Sequence, residues 1–271
     1  MYRSHWGLNE SPFQGRLDPS KFYESPTHEE GLARLDFLVR EHRRLGLILG
    51  PAGSGKSFVL EVFANRLRGE GNPTATVNAF GVEPAEFLGQ VAVGLGLNPG
   101  AGLATAELWR LLNDRIAEFR YQRMDTVLLV DDADCASRDV LVQLTRLAKS
   151  DPGPDSLLTM VLAGQPGRIG RLGPGLLELV ELRIDLEPWE PTDTVRFIEA
   201  ALQKAGRTTP VFAKPAVEKL HQLAQGVPRR VSQLADLALV AGAGQELDSI
   251  DADTVDSVCQ ELGVIEMEDE G

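Results

Sequence analysis

The stretch that decides the fold is Leu45-Gly-Leu-Ile-Leu-Gly-Pro-Ala-Gly-Ser-Gly-Lys-Ser57. Its first five residues form an apolar run typical of a buried strand, and apolar residues at helical spacing follow from Phe58 to Leu67. The turn between them matches the G-x-x-x-x-G-K-[ST] phosphate loop, in the strand-to-helix context that this motif requires. The sequence therefore predicts an α/β domain that binds a nucleotide at this turn.

The residue types of the loop suit a magnesium-bound triphosphate. Glycines let backbone N–H groups turn towards phosphate oxygens, the helix N-terminus is positive, and Lys56 adds a full charge. The Ser57 hydroxyl can bind Mg²⁺, so ATP and Mg²⁺ are the expected cofactors. The alternative is a glycine-rich turn without chemical consequence. The predicted nucleotide-binding residues are Gly50, Pro51, Ala52, Gly53, Ser54, Gly55, Lys56 and Ser57.

Short apolar runs alternate with helical patterns over the first two thirds of the chain, which is the signature of a parallel sheet flanked by helices. The expected strands are residues 45–49, 75–80, 126–130, 157–162 and 182–186. Strand patterns end near Pro188 and helical patterns follow. We therefore expect a nucleotide-binding core with an N-terminal segment over 1–188, an α-helical lid over 189–263 and an acidic tail over 264–271.

Two carboxylates end the third expected strand. Because ligand sites of parallel sheets lie at the carboxyl ends of strands, Asp131 is expected to bind Mg²⁺ and Asp132 to face the attacking water. The alternative is a solvated acidic cluster, including Asp134, that caps the next helix.

The composition limits the classes of function. The 27 Lys and Arg residues against 40 Asp and Glu residues give a formal net charge of -13, so direct DNA binding would need a local basic patch. Two cysteines cannot build a disulfide framework or a zinc cluster. No signal-peptide pattern and no membrane-spanning run is present in the sequence, so a cytoplasmic location without a membrane partner is expected.

The chain resembles the ExeA/GspA-like AAA+ ATPases, which are associated with the type II secretion machinery and have relatives among transposition and origin-recognition ATPases. The resemblance extends over almost the whole chain and implies a P-loop NTPase fold with a five-stranded parallel sheet and a helical lid. Besides the phosphate loop, it rests on Trp6-Gly-Leu8, Ser11-Pro-Phe13, Asp18-Pro19, Phe22-Tyr23, Ser25, His28, Leu129-Val-Asp-Asp-Ala133, Leu162-Ala-Gly-Gln-Pro166 and Gly226-Val-Pro-Arg-Arg230.

The resemblance also implies roles for individual polar residues. Gln165 takes the sensor 1 position, where a polar side chain orients water, and Arg229 takes the sensor 2 position of the lid. Arg183 is the first candidate for an arginine finger, with Arg168 and Arg171 as alternatives. Each residue also has a purely structural interpretation: a turn for Gln165, a helix N-terminus for Arg229 and a surface cation for the other arginines.

Two departures from the family pattern affect the expected activity. The family usually has Glu where this chain has Asp132, which is shorter by one methylene, so hydrolysis is expected to be slow. Secretion-linked members often continue into a transmembrane helix and a peptidoglycan-binding region. This chain ends shortly after the lid, so an envelope-anchored role is not expected.

Together these features predict an ATP-hydrolysing protein that forms homo-oligomers and drives or regulates the assembly of a partner complex. The alternative is a slow nucleotide-dependent switch that recruits a partner, including DNA-associated or transposition-associated assemblies. A small-molecule kinase is a third hypothesis, which would need an acceptor pocket.

Overall fold

The computed structural model describes residues 2–13, 17–100, 102–151, 153 and 155–268, with the side chains of 263–268 excepted. These residues cluster into two compact units. The sheet unit contains Pro26–Ala52 and Lys56–Leu186, and the helical unit contains Met1–Ser25, Gly53–Gly55 and Glu187–Gly271.

The predicted five-stranded parallel sheet is confirmed in the sheet unit. The strands are β1 Leu45–Leu49, β2 Thr74–Asn78, β3 Thr126–Asp131, β4 Leu158–Gly164 and β5 Leu182–Asp185. They pair in the order β2-β3-β4-β1-β5, and each pair is parallel. The central strands β1, β3 and β4 are buried along their whole length, which explains their continuous apolar sequences.

Helices cover the sheet and bury its apolar side chains. Those of the sheet unit are α2 Pro26–Arg40, α3 Lys56–Gly69, α4 Pro84–Gly94, α5 Thr105–Tyr121, α6 Arg138–Ala148 and α7 Pro174–Leu177. Phe87, Trp109 and Leu112 contribute large buried side chains to this core. Ser137 caps α6, because its hydroxyl accepts the Val140 N–H at 3.3 Å.

The helical unit is organised around the predicted helical patterns of the C-terminal region. Its helices are α1 Tyr2–Trp6, α8 Pro191–Lys204, α9 Lys214–Ala224, α10 Pro228–Gly244 and α11 Ala252–Glu268. Helix α11 extends into the predicted acidic tail of residues 264–271, and the last three residues of that tail lie outside the described residues. Among the described residues, no helix is both long enough and apolar enough to cross a bilayer.

The N-terminal segment differs from the expected domain division, which assigned it to the nucleotide-binding core. Residues 1–25 cluster with the helical unit instead. Trp6 and Phe13 are buried in its core, and the Trp6 indole N–H donates to the Leu239 carbonyl at 2.8 Å. Burial of these aromatic side chains therefore determines where the segment packs.

Strand register brings the ends of the strands to one edge of the sheet. Leu49 of β1 pairs with Gly164 of β4 and with Asp185 of β5, while Asn78 of β2 pairs with Asp131 of β3. The turns that follow β1, β2, β3 and β4 therefore begin at this carboxyl-terminal edge.

Candidate nucleotide-binding site

The phosphate loop follows β1 at the carboxyl-terminal edge. The Gly50 N–H donates to the Gly164 carbonyl at 3.4 Å, so the loop begins beside the end of β4. Lys56 is 7% exposed, and its ammonium donates to the carbonyls of Gly50 and Pro51 at 2.9 and 3.0 Å. This hydrogen bonding holds the buried cation at its own loop, where an anionic ligand would complement its charge.

The Asp131 carboxylate lies beside the helix that follows the loop. It is 9% exposed and accepts a hydrogen bond from the Ser57 hydroxyl and one from the Asp132 N–H, the latter at 2.9 Å. Burial raises the pKa of Asp131 above its ordinary value, and the charge of Asp132 raises it further. The two hydrogen bonds and the charge of Lys56 act in the opposite direction.

The donor set of this edge fits a magnesium ion. Ser57 and Asp131 offer a hydroxyl oxygen and a carboxylate in contact with each other, and Mg²⁺ prefers one or two such oxygens together with water and substrate phosphates. Within the described part of the chain, no group of three or more His, Cys, Asp or Glu side chains forms a self-sufficient metal cage. The arrangement therefore suits a cation that arrives with a phosphate ligand.

A polar network that the sequence analysis missed orients Asp132. The Asn78 side-chain amide donates to Asp132 Oδ2 at 2.8 Å, and Asn78 Oδ1 accepts the backbone N–H of Phe80, also at 2.8 Å. Asp132 itself has left-handed backbone angles, with φ 49° and ψ 37°. The second strand was predicted to extend to residue 80, whereas β2 ends at Asn78. With the correct end, a polar residue at the carboxyl end of a parallel strand would have been the signal, because such ends meet at one edge of the sheet.

The alternative interpretation of the acidic run as a solvated helix cap is contradicted. Asp131 is 9% and Asp134 2% exposed, and α6 is capped by Ser137. The side chains of Asp131 and Asp134 are therefore buried and do not form a hydrated cluster.

Gln165 directly follows β4 in extended conformation, with φ -96° and ψ 139°. Leu129 pairs with Val161, and alternate residues of extended chain share a face, so Gln165 and Asp131 emerge on the same face of the sheet. This position is compatible with the expected sensor role.

The candidate finger arginines differ in their surroundings. The Arg183 guanidinium donates to both oxygens of Asp185 at 2.7 to 3.0 Å, although its side chain is 57% exposed. Arg168 contacts the Cys135 sulfur at 3.5 Å, and Arg171 is exposed. An arginine finger needs a free guanidinium fork, so Arg183 would have to leave Asp185 to act in a neighbouring subunit.

Within the helical unit, Arg229 contacts the loop segment Gly53–Gly55 that clusters with it. The Arg229 backbone N–H donates to the Gly53 carbonyl at 3.1 Å. Gly53 has φ +83°, and a Cβ there would lie 2.8 Å from the Cβ of Arg229. Both facts require glycine at this position of the loop.

Gly53→Ala is therefore expected to destabilise the protein by about 1–3 kcal/mol, because it adds backbone strain to a steric clash. Thermal unfolding measures the effect. Gly89→Ala is the matched control, since that helical glycine has open space around its Cβ and the change is expected to be neutral or stabilising. Equal melting temperatures for the two variants would contradict this account of the loop.

Asp131→Asn is expected to stabilise the nucleotide-free protein while removing its response to Mg²⁺. The folded carboxyl holds its proton more tightly than the unfolded one, whose pKa is near 3.8. The free energy of unfolding therefore falls as pH rises through the interval between the two pKa values, and the full cost is present above that interval.

We expect the Asp131→Asn variant to melt at a higher temperature than the unchanged protein at pH values above that interval. Differential scanning fluorimetry with and without Mg²⁺ and ATP measures both effects. Asp114→Asn, at an exposed position of α5, should change neither. A lower melting temperature for Asp131→Asn would show that the carboxylate is net stabilising.

Comparison with known proteins connects this site to a family. Residues 39–172 match a family model described as an AAA domain. Over 251 residues the chain is 31% identical to general secretion pathway protein A of Aeromonas hydrophila, a match that covers 89% of this chain and 45% of the relative. The chain thus spans less than half the length of that relative.

Solved structures share the fold at low sequence identity. The Aeropyrum pernix ORC2 protein, determined as ADPNP-ADP complexes, aligns with a TM-score of 0.68 and 15% identity over 93% of this chain and 72% of that chain. Drosophila ORC bound to DNA aligns with a TM-score of 0.70 and 18% identity over 94% of this chain and 64% of that chain. The fold, the family match and the curated relative agree that the chain contains an AAA domain and is similar to general secretion pathway protein A.

Proposed function

We propose that the protein binds ATP with Mg²⁺ at the carboxyl-terminal edge of the sheet and hydrolyses it to drive or regulate the assembly of a partner complex. The observation that carries this proposal is the contact between the Ser57 hydroxyl and the buried Asp131 carboxylate beside the Lys56 ammonium. Lys56 and Ser57 of the loop, together with Asp131 at the end of β3, supply the cation and the two oxygen ligands that binding of a magnesium-bound triphosphate requires.

The chemistry assigned to this site is proton transfer from water together with charge stabilisation. Asp132 is the general base, and the Asn78 amide holds its carboxylate in one orientation. Gln165 orients the same water from the end of β4, and Lys56 stabilises charge on the phosphates. When bound, Mg²⁺ would be held by Ser57 and Asp131 and would neutralise phosphate charge.

The remaining roles concern communication between subunits and partners. Arg229 is proposed as the sensor 2 residue that responds to the phosphate state, and Arg183 as the finger supplied to a neighbouring subunit of a homo-oligomer, with Arg168 and Arg171 as alternatives. The similarity to general secretion pathway protein A supports a partner assembly as the target of this cycle. Such a role agrees with the predicted cytoplasmic location.

A nucleotide-dependent switch is the second candidate. It is favoured by Asp132, whose side chain is one methylene shorter than the usual glutamate and is held by Asn78. The similarity of fold to a DNA-bound origin-recognition structure makes DNA a candidate ligand of this switch. The net charge of -13 argues against a large DNA-binding surface.

A combined nucleotide assay separates the two candidates. The protein is incubated with ATP in the presence and absence of Mg²⁺, and bound and released nucleotides are separated by chromatography. Magnesium-dependent release of ADP over many turnovers supports the ATPase, whereas retention of ATP with salt-sensitive binding to labelled DNA supports the switch. Absence of ATP binding would contradict both.

A further inference from the structure

A groove on the sheet unit, away from the phosphate loop, lies between helices α5 and α6. It encloses about 630 Å³. Its α5 side is formed by Trp109, Asn113, Ile116, Ala117 and Arg120. Its other side is formed by Val142, Thr145 and Arg146 of α6 and by Lys149, Ser150 and Asp151, which follow that helix.

The spacing of these residues defines the shape of the groove. The α5 residues recur at intervals of one, three and four from Trp109 to Arg120, so they form one helix face about 16 Å long at a rise of about 1.5 Å per residue. On the other side the lining residues extend from Val142 to Lys149, the residue that follows α6, over about 10 Å. These lengths correspond to two to three turns of a third helix.

The floor of the groove is apolar and ordered. Trp109 is buried and donates its indole N–H to Gln143 at 2.8 Å, and the Arg146 guanidinium lies 4.0 Å from the Trp109 ring centroid. Val142 leaves 55% of its surface exposed in the same groove. An occupant with an apolar stripe would cover this surface, because exposed aliphatic area next to a fixed aromatic side chain favours burial.

The rim of the groove is basic in a chain that is strongly acidic. Arg120, Arg146 and Lys149 line it, while its one acidic lining residue, Asp151, is already paired with Arg120 at 2.5 Å. The rim thus retains an excess of positive charge, although the whole chain carries -13. Charge complementarity therefore selects an acidic occupant.

From these features we infer that the α5–α6 groove is a docking site for an acidic amphipathic helix of a protein partner. Leucine-like side chains would cover the exposed Val142 side chain beside the buried Trp109, and Asp or Glu side chains beside that stripe would meet Arg146 and Lys149. The groove uses no residue of the nucleotide site, so this inference goes beyond the proposed ATPase function.

The experiment uses two labelled helical peptides of about 15 residues that carry the same leucine stripe. One has glutamates beside the stripe and the other has lysines. Fluorescence anisotropy with the full chain measures binding, and the emission of Trp109, compared with a Trp109→Phe variant, reports where the peptide binds.

We expect the glutamate peptide to bind and the lysine peptide not to bind. Combined Arg146→Glu and Lys149→Glu substitutions should weaken binding of the glutamate peptide at least about tenfold. The same double variant should bind the lysine peptide. Arg138→Glu, at an exposed position of the same helix outside the groove, is the matched control and should have little effect.

Several outcomes would overturn the inference. These are failure of the glutamate peptide to bind, equal binding of both peptides, displacement of the peptide by inorganic triphosphate, or unchanged affinity after the double charge reversal. If that reversal instead changes sedimentation of the protein and the peptide does not bind, the groove receives a second copy of the chain. The same peptide titration is carried out on Lys56→Met. Normal peptide binding by that variant would show that the groove is independent of the nucleotide site, so the two proposals can fail separately.

Discussion

Replacement of Lys56 by alanine is expected to weaken ATP binding by about 100-fold or more, equivalent to about 2.7 kcal/mol. The buried ammonium is the one full positive charge that the loop sequence supplies to the phosphates, and charge-assisted hydrogen bonds are the strongest of their kind. Isothermal titration calorimetry of the full chain with ATP and Mg²⁺ measures the loss directly.

Lys56 is also a packed side chain, so folding must be tested separately. Lys56→Met keeps the apolar stem while removing the ammonium, and it should fold and still lose ATP affinity. Lys214→Ala is the control, since that side chain is 89% exposed and 3.9 Å from Glu218 in a surface pair. Normal ATP affinity in a folded Lys56 variant would remove the nucleotide assignment.

Asp132→Asn is expected to reduce steady-state phosphate release by about 10²–10⁴-fold while leaving ATP affinity nearly unchanged. Asparagine has the same shape, tolerates the left-handed backbone angles found here and cannot take a proton from water. Turnover and ATP binding are measured in parallel. A fall in turnover alone indicates loss of the general base, whereas a fall in ATP affinity indicates loss of a binding contact. A matched fall in both quantities would indicate that Asp132 acts mainly in binding.

Asp132→Glu tests whether the length of the side chain limits the rate. If reach is limiting, the longer carboxylate should raise phosphate release, provided that thermal unfolding shows an intact fold. Unchanged or slower release would contradict that explanation and leave Asn78, which donates to the Asp132 carboxylate, as the next residue to vary.

The main features of the nucleotide site could be predicted because they are local or repeat with a short period. A strand, a glycine-rich turn and a helix N-terminus are adjacent along the chain, and Asp131 ends an apolar run. Parallel strands then bring such ends to one edge of the sheet. The contact between Ser57 and Asp131 agrees with that expectation.

Other features depend on which distant surfaces meet, and periodicity carries no such information. The apolar character of Trp6 and Phe13 predicts burial but not that they pack in the helical unit. In the sequence, nothing distinguishes Asn78 from other polar residues. Its contact with Asp132 exists because β2 pairs with β3. The roles of the arginines likewise depend on contacts that their spacing does not specify.

By itself, then, the amino-acid sequence determined the order of strands and helices along the chain and the position of the phosphate loop motif, because backbone propensity and burial pattern act over a few neighbouring residues. Only the tertiary structure decided the unit to which residues 1–25 belong, the partner of Asp132 and the basic groove between α5 and α6. These features depend on packing between segments that are far apart in the chain. The free energy of such packing comes from burying surfaces that only the complete fold brings together.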